Sequence, residues 1–329
     1  MIWYLLRRMG AAAVVLLALS AIVYALFYLT PGDPAVLACG KGCDGERLDL
    51  TRQKLGLDDP VHVQYLHFLE GLVAGRDYSA GPDVDHCAAP CLGYSFQTDQ
   101  PVTAMLMDRM PVSASLAFGA EALALLLGVS AGLLSALRRG RITERVLTGV
   151  TLLGFSTPVF LIGLVLLMVF CAQLQWLPFP AYVPLTENPA EWARNLVLPW
   201  LALALIQAAV YARISRVGAL ETLVEDHIRT FRAYGLRERQ VIGRHALRGA
   251  LAPLVTLTAV DVAQVMTAAV LTETMFGLPG IGKLTVESVN SVDLPVVVGV
   301  TVLAGAVVVL ANAAADLLHA AVDPRVRLA

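Results

Sequence analysis

Two carboxylates lie inside long apolar stretches of this sequence, where ionisable side chains are rare. Glu121 falls about halfway through one stretch, Asp261 lies within another, and Gln264 follows Asp261 by about one helical turn. A charge at the centre of a membrane span costs about 2.5–3.5 kcal/mol on insertion scales. These three residues are therefore candidates for a polar translocation path or a proton relay. The alternative is structural: each side chain holds helices together by hydrogen bonds.

Two common catalytic motifs are missing from the sequence. It contains neither a G-x-x-x-x-G-K-[ST] phosphate loop nor an H-E-x-x-H zinc motif. The histidines are dispersed, and His62 and His67 are five residues apart, which is a poor spacing for ligands on one helix face. We therefore expect a protein that is not an enzyme and that holds neither a cofactor nor a metal of its own.

A basic loop follows the fourth apolar stretch. Residues 213–248 contain eight arginines against four acids. Within the loop, apolar residues recur at helical spacing and predict a short amphipathic helix that Gly235 ends through a left-handed turn. The predicted apolar ridge comprises Ile228, Phe231, Ala233, Tyr234 and Leu236. Such a helix is suited to lie in a partner's groove; the alternative is a solvated loop that only orients the protein.

The composition indicates a membrane protein. The chain has 329 residues, of which 57% are hydrophobic and 15% are charged. Its net charge of -2 creates no electrostatic potential that would attract nucleic acid. A membrane-spanning helix needs about 20 apolar residues. Six segments are long enough to cross the lipid, namely 9–29, 112–137, 146–171, 198–214, 251–273 and 294–321.

The arginines and lysines predict the orientation. Sixteen of the 24 lie on one side of the six predicted spans, which places that side and both termini in the cytoplasm. The sequence thus predicts an all-α, six-span membrane protein with a small extracytoplasmic domain that contains cysteines. The predicted parts are the first span with its N-terminus (1–29), the extracytoplasmic domain (30–110), the core (111–321) with a coupling loop (215–250), and a cytoplasmic tail (322–329).

Four cysteines form two C-x-x-x-C pairs in the predicted extracytoplasmic domain, Cys39 with Cys43 and Cys87 with Cys91. Oxidation is permitted outside the cytoplasm, so two disulfides are the preferred interpretation. The spacing does not decide between local pairs and links from one pair to the other, which would close a longer loop. A zinc site is the alternative, but four-thiolate sites usually show tighter C-x-x-C spacing.

Seven motifs in order along the chain resemble the inner-membrane permease subunits of dipeptide and oligopeptide ABC importers, a group that includes nickel and glutathione permeases. They are Tyr4-Leu-Leu-Arg-Arg8, Pro31-Gly-Asp-Pro34, Leu55-Gly-Leu-Asp-Asp-Pro60 with Gln64-Tyr65, Ser156-Thr-Pro-Val-Phe160, the loop around Gly235, Met275-Phe-Gly-Leu-Pro-Gly-Ile-Gly282, and Asp323-Pro-Arg-Val-Arg327. The resemblance covers nearly the whole chain. The chain departs from the family pattern in its four cysteines and in the insert that carries Cys87 and Cys91.

The resemblance implies a role for the basic loop. In such importers the corresponding loop carries a coupling helix that docks into a cleft on a cytoplasmic ATPase. The implied coupling residues here are Asp226, Arg229, Thr230, Phe231, Arg232, Ala233, Tyr234, Gly235 and Leu236. Phe231 replaces a small residue of the family pattern, and Tyr234 replaces a frequent lysine. At these two positions the docking contacts would therefore differ from the family pattern.

The resemblance also implies partners. They are a homologous second permease, two ATPase subunits that bind the ATP, an extracytoplasmic solute-binding protein and membrane lipid, but no nucleic acid. Four residues of the turn at 275–282 are candidates for an outer gate or a receptor contact: Phe276, Pro279, Gly280 and Gly282. The alternative for these residues is a tight turn. The alternative function is a stand-alone secondary transporter that moves protons through Glu121 and Asp261, and it would be expected to contain internal inverted repeats.

Overall fold

The structure is a computed structural model that describes residues 2–29, 35–36, 44–80 and 83–322. It is mostly helical, as predicted, and divides into two compact units. Unit 1 comprises Met1–Ser113 and Pro279–Val309, and unit 2 comprises Ala114–Leu278 and Leu310–Ala329. Cys39, Cys43 and the predicted tail after residue 322 lie outside the described residues.

Helices come first in the part of unit 1 that the structure describes. They are α1 (Ile2–Leu29), α2 (Gly45–Leu55) and α3 (Val61–Ala74). Helix α3 carries Val61, Tyr65 and Phe68 at the apolar spacing of an amphipathic helix. It packs on α1, because the ring centroids of Tyr24 and Phe68 are 5.9 Å apart and the hydroxyls of Ser20 and Tyr65 are 2.9 Å apart.

Two short antiparallel hairpins follow α3, and the sequence analysis did not predict them. Strand β1 (Arg76–Ala80) pairs with β2 (Asp83–Cys87), and β3 (Tyr94–Ser95) pairs with β4 (Gln100–Pro101). Cys87 and Cys91 form a local disulfide. Both cysteines are buried against three aromatic side chains, Tyr78, Tyr94 and Phe96. This part of the chain is thus a small mixed structure rather than all-α.

A hydrogen bond joins the two segments of the sequence that form unit 1. The hydroxyl of Ser95, in β3, donates to the carboxylate of Asp293, which directly precedes the last helix. The backbone N–H of Val296 donates to the same carboxylate, so Asp293 caps that helix. Burial raises the pKa of the Asp293 carboxyl, although both hydrogen bonds act in the opposite direction.

The remaining helices form unit 2 and the returning part of unit 1. In order they are α4 (Val102–Leu137), α5 (Ile142–Ser156), α6 (Val159–Leu166), a π-helix (Leu167–Gln173), α7 (Pro189–Val224), α8 (Asp226–Ala233), α9 (Glu238–Gln240), a second π-helix (Val241–Ala246), α10 (Leu247–Ala268), α11 (Val270–Met275), α12 (Ile281–Ser291) and α13 (Leu294–Val322). Helix α4 contributes residues to both units.

Three helices among the described residues are long and apolar enough to cross a membrane. They are Val102–Leu137, Pro189–Val224 and Leu294–Asp316. A fourth candidate is a pair of segments, Ile142–Gly154 and Val159–Gln173, that bends by 104°. The bend lies at Thr157-Pro158, because proline disfavours the helical conformation of the residue before it. Shorter apolar helices occupy Met9–Ala25 and Leu257–Met266. The count of six spans stays a prediction.

Glycines on α4 allow α7 to approach closely. A Cβ atom built on Gly128 would lie 2.6 Å from Cβ of Tyr211, and one built on Gly132 would lie 2.4 Å from the carbonyl oxygen of Ala212. Small residues at such positions are typical of helix packing in membranes. Residues 128–132 also spell G-x-S-x-G, but they lie within a helix, where the Ser130 hydroxyl donates to the Leu126 carbonyl.

Candidate functional site

The predicted coupling helix is present as α8. It begins at Asp226, whose backbone carbonyl accepts a hydrogen bond of 3.0 Å from the Thr230 hydroxyl. The Arg229 guanidinium lies 3.5 Å from the Asp226 carboxylate, and the Arg232 guanidinium lies 2.9 Å from the Glu238 carboxylate. All of these charged side chains are substantially exposed, so each pair contributes little to stability.

Gly235 ends α8 as the sequence predicts. Its φ of 76° is in the left-handed region, and its N–H donates to the Arg232 carbonyl. The N–H of Leu236 donates to the Phe231 carbonyl at 3.2 Å. These two bonds form a Schellman motif, in which glycine avoids the steric cost that other residues meet at positive φ.

The residues of the predicted apolar ridge of α8 differ in their exposure: some are buried in the chain and others are exposed. Ile228 is fully buried in unit 2, where α8 packs against the end of α7 and against Val241–Ala246. Tyr234, in contrast, is 80% exposed, and Ala233 is also exposed. Ile228 therefore anchors the helix to its own chain, because a residue that is already buried cannot enter a partner's groove. The surface that α8 presents is mostly polar, and its apolar part comprises half-buried Phe231, exposed Ala233 and the tyrosine at its end.

The structure brings together two of the three path candidates. The Tyr211 hydroxyl forms hydrogen bonds with Oε1 of Glu121 and with Oδ2 of Asp261. Glu121 and Tyr211 are buried and Asp261 is half-buried. Gln264, the third candidate, is exposed. The group joins α4, α7 and α10 within unit 2.

The turn at 275–282 begins with a second Schellman motif. Gly277 has a φ of 70°, its N–H donates to the Thr274 carbonyl, and the N–H of Leu278 donates to the Glu273 carbonyl. Phe276 is only 3% exposed, and its ring lies 3.1 Å from where a Cβ atom on Gly163 would be. The side chain of Phe276 thus fills a gap inside unit 2.

The second half of the turn belongs to unit 1. Pro279 is half-buried, whereas Gly280 and Gly282 are buried. The N–H of Ile281 donates to the Ser113 hydroxyl at 2.9 Å and fixes the start of α12. All four residues predicted as an outer gate or receptor contact are therefore buried or half-buried in the structure, and their role stays a prediction.

Comparison with known proteins assigns the family. Residues 1–117 match the family model for the N-terminal part of membrane components of binding-protein-dependent transport systems. Residues 124–328 match the model for the inner membrane component of the same systems. The chain belongs to this family. The family that the sequence motifs indicate is thus confirmed, and it is a family of membrane permease components rather than of enzymes.

Several relatives match the permease over nearly its full length. One is named as a peptide ABC transporter permease of Sinorhizobium fredii, is 34% identical, and matches over 98% of this chain and 99% of its own. A peptide permease protein of Brucella ovis is 35% identical over 100% of both chains. A glutathione transport system permease of Escherichia coli O6:H1 is 32% identical over 99% of both.

A solved structure shows the same fold. The permease resembles a chain of the MetNI methionine ABC transporter in an inward-facing conformation, with a TM-score of 0.52 and 17% sequence identity. The similarity covers 68% of this permease and 99% of that chain. The family does not support the alternative of a stand-alone secondary transporter, because its members are components of binding-protein-dependent systems.

Sequence reasoning missed Tyr211 and a repeated signal. Tyr211 is 90 residues from Glu121 and 50 from Asp261, so only the packed helices reveal the connection. The repeated signal is Gly-Leu: it ends α2 at Gly56, α8 at Gly235 and α11 at Gly277, each glycine having a positive φ. In all three places the leucine N–H bonds back into the helix. Gly71-Leu72, Gly132-Leu133 and Gly163-Leu164 lie within helices, however, so Gly-Leu alone does not predict a helix end.

Proposed function

We propose that the protein is the transmembrane subunit of an ATP-driven importer for peptides. In this proposal it forms half of a translocation path together with a homologous second permease. It spans the inner membrane six times with both termini in the cytoplasm, and it works with two ATPase subunits and an extracytoplasmic solute-binding protein. The names of its relatives support peptides as the substrate class, since they include peptide and glutathione permeases.

The observation that carries the proposal is the construction of α8. Its buried side, at Ile228, holds it on the permease, while Arg229, Thr230 and Tyr234 remain exposed. The helix lies in the most basic loop of the sequence, which the charge rule assigns to the cytoplasm. An anchored helix of this kind can transmit movement of an ATPase to α7, because it packs against the end of α7.

A bulky substitution at Gly235 tests whether α8 couples the permease to an ATPase. Gly235→Trp would place a large side chain where the structure leaves open space, so it should block docking of an ATPase. We expect the tagged variant to reach the membrane at normal levels, to lose the ATPase subunits on purification in mild detergent, and to lose ATP-dependent peptide uptake.

Gly140 provides a matched control. It too has a positive φ, 80°, and open space around its Cβ position, and it lies in another basic turn. Gly140→Trp therefore carries the same backbone strain and should keep both the ATPase subunits and uptake. Equal loss in both variants would assign the effect to strain, and normal uptake by Gly235→Trp would remove the coupling role.

A further inference from the structure

Tyr211 lies between two carboxylates that belong to two other helices. Its side chain is fully buried, and its hydroxyl is within hydrogen-bonding distance of Oε1 of Glu121 and Oδ2 of Asp261. A single oxygen atom thus connects α4, α7 and α10. Apolar side chains surround the tyrosine, including Ala124, Ala204 and Leu254.

If both carboxylates were ionised, the two contacts of the Tyr211 oxygen would have only one hydrogen atom between them. A phenol carries one hydrogen and can donate to only one acceptor at a time. With both carboxylates ionised, the second contact would bring the Tyr211 oxygen against a negative oxygen with no hydrogen between them. The second contact becomes a hydrogen bond only when one carboxyl group carries a proton and donates it to the phenol oxygen. The geometry therefore requires one additional proton.

Burial indicates which carboxyl group carries that proton. Glu121 is 3% exposed, whereas Asp261 is half-buried, so a negative charge is less costly on Asp261. Oε2 of Glu121 is buried and has no hydrogen-bond partner among the described residues. A buried ionised carboxylate would be expected to have several donors, and among the described residues only Tyr211 and Thr258 form hydrogen bonds with Glu121.

Neighbouring charges do not compensate for a second negative charge. The groups that act on Glu121 are Tyr211, Asp261 and Thr258, and those that act on Tyr211 are the two carboxylates. No lysine, arginine or histidine side chain that the structure describes is among them. Two ionised carboxylates on either side of one phenol would thus repel each other across a buried site.

We propose that Glu121, Tyr211 and Asp261 form a binding site for a single proton, which links the three helices. The proton comes from water and resides on Oε1 of Glu121, which donates to the Tyr211 oxygen. Tyr211 donates its own hydrogen to Asp261, which keeps the single negative charge. Release of the proton to water breaks one of the two hydrogen bonds and leaves two negative charges. This site is independent of the importer function proposed above.

Infrared spectroscopy tests the site in the full-length chain purified in mild detergent. At neutral pH we expect the wild-type spectrum to contain the C=O stretch of a protonated carboxylic acid that is absent from Glu121→Gln. Exposed Glu191 provides the control. Glu191→Gln also removes one carboxyl group but should leave that band unchanged, because this carboxyl group is exposed and does not belong to the buried site.

Stability gives a second, independent measurement. The glutamine amide can donate to the Tyr211 oxygen as the protonated glutamate does, so Glu121→Gln should unfold within about 3 °C of wild type at neutral pH. Alkaline solution should lower the unfolding temperature of wild type more than that of Glu121→Gln. The proposal is overturned if Glu121→Gln leaves the carboxylic-acid band unchanged, or if it does not fold at neutral pH.

Discussion

Two turns of this permease share one backbone design but differ in what they expose. At Gly235 and at Gly277 a short helix ends in a Schellman motif followed by leucine. Next to Gly235 the side chain of Tyr234 is 80% exposed, whereas next to Gly277 the side chain of Phe276 is 3% exposed and Leu278 is fully buried. The same local geometry therefore serves two purposes, one at a surface and one in a core.

The difference teaches which of the two turns is available to a partner. A buried aromatic side chain stabilises its own chain, and hot spots at interfaces require residues that are accessible before binding. The turn at Gly235 meets that condition through Tyr234, Arg229 and Thr230. The turn at Gly277 does not meet that condition through Phe276, because this side chain is packed in the interior of unit 2.

The largest expected effect comes from truncating the two aromatic residues beside the glycines. Phe276→Ala should lower the free energy of unfolding by about 3–5 kcal/mol, because it leaves a cavity in unit 2. Tyr234→Ala should change it by less than about 0.5 kcal/mol and should weaken ATPase binding instead. Equilibrium unfolding in mild detergent and ATPase co-purification measure the two effects. Equal destabilisation by the two variants would break the comparison.

A smaller effect is expected from the glycines themselves. Gly235→Ala and Gly277→Ala should each cost about 1–2 kcal/mol, because both positions require a positive φ and neither Cβ position has a neighbour within 4 Å. Only Gly235→Ala should reduce uptake per folded molecule. Thermal unfolding and uptake, measured on the same preparations, separate strain from function. A selective loss of uptake in Gly277→Ala would reverse the assignment of the two turns.

The smallest effect concerns the ion pair beside the exposed turn. The Arg232 guanidinium and the Glu238 carboxylate are 2.9 Å apart, and both side chains are solvent-accessible. Glu238→Gln should therefore cost only about 0.2–1 kcal/mol. The cost should disappear in about 1 M salt, where screening acts over roughly 3 Å. Thermal unfolding at low and high salt checks this, and a cost that persists in salt would mean that the pair is shielded from solvent.

The helices with strong periodicity could be predicted, and the short strands could not. The apolar spacing of Val61, Tyr65 and Phe68 predicts α3 correctly. Among the side chains of β1 that the structure describes, Tyr78 alone is buried, and it lies between exposed Asp77 and Ser79. One alternation is too short to distinguish a strand from a loop, so the hairpins escaped prediction.

The candidate site shows the same limit at the tertiary level. Gly235 and the helix before it are local features, and the sequence predicts both. The sequence also identifies Glu121 and Asp261 as unusual, since ionisable residues inside apolar stretches are rare. Their connection through Tyr211 depends on the close packing of α4 and α7 at Gly128. The G-x-x-x-G spacing of Gly128 and Gly132 favours close packing, but it does not identify the helix that lies opposite. The burial of Ile228 likewise follows from packing rather than from its position in the ridge.

The hydrogen bond from Ser95 to Asp293 has a consequence for synthesis of the chain. It joins residues 198 apart in sequence, and the two segments of unit 1 come before and after residues 114–278 in the sequence. A ribosome that makes the chain from its N-terminus completes residues 114–278 before Asp293 exists. The hairpin containing Ser95 therefore waits without its partner until translation is nearly finished, and a nascent chain stalled before Asp293 would lack this hydrogen bond.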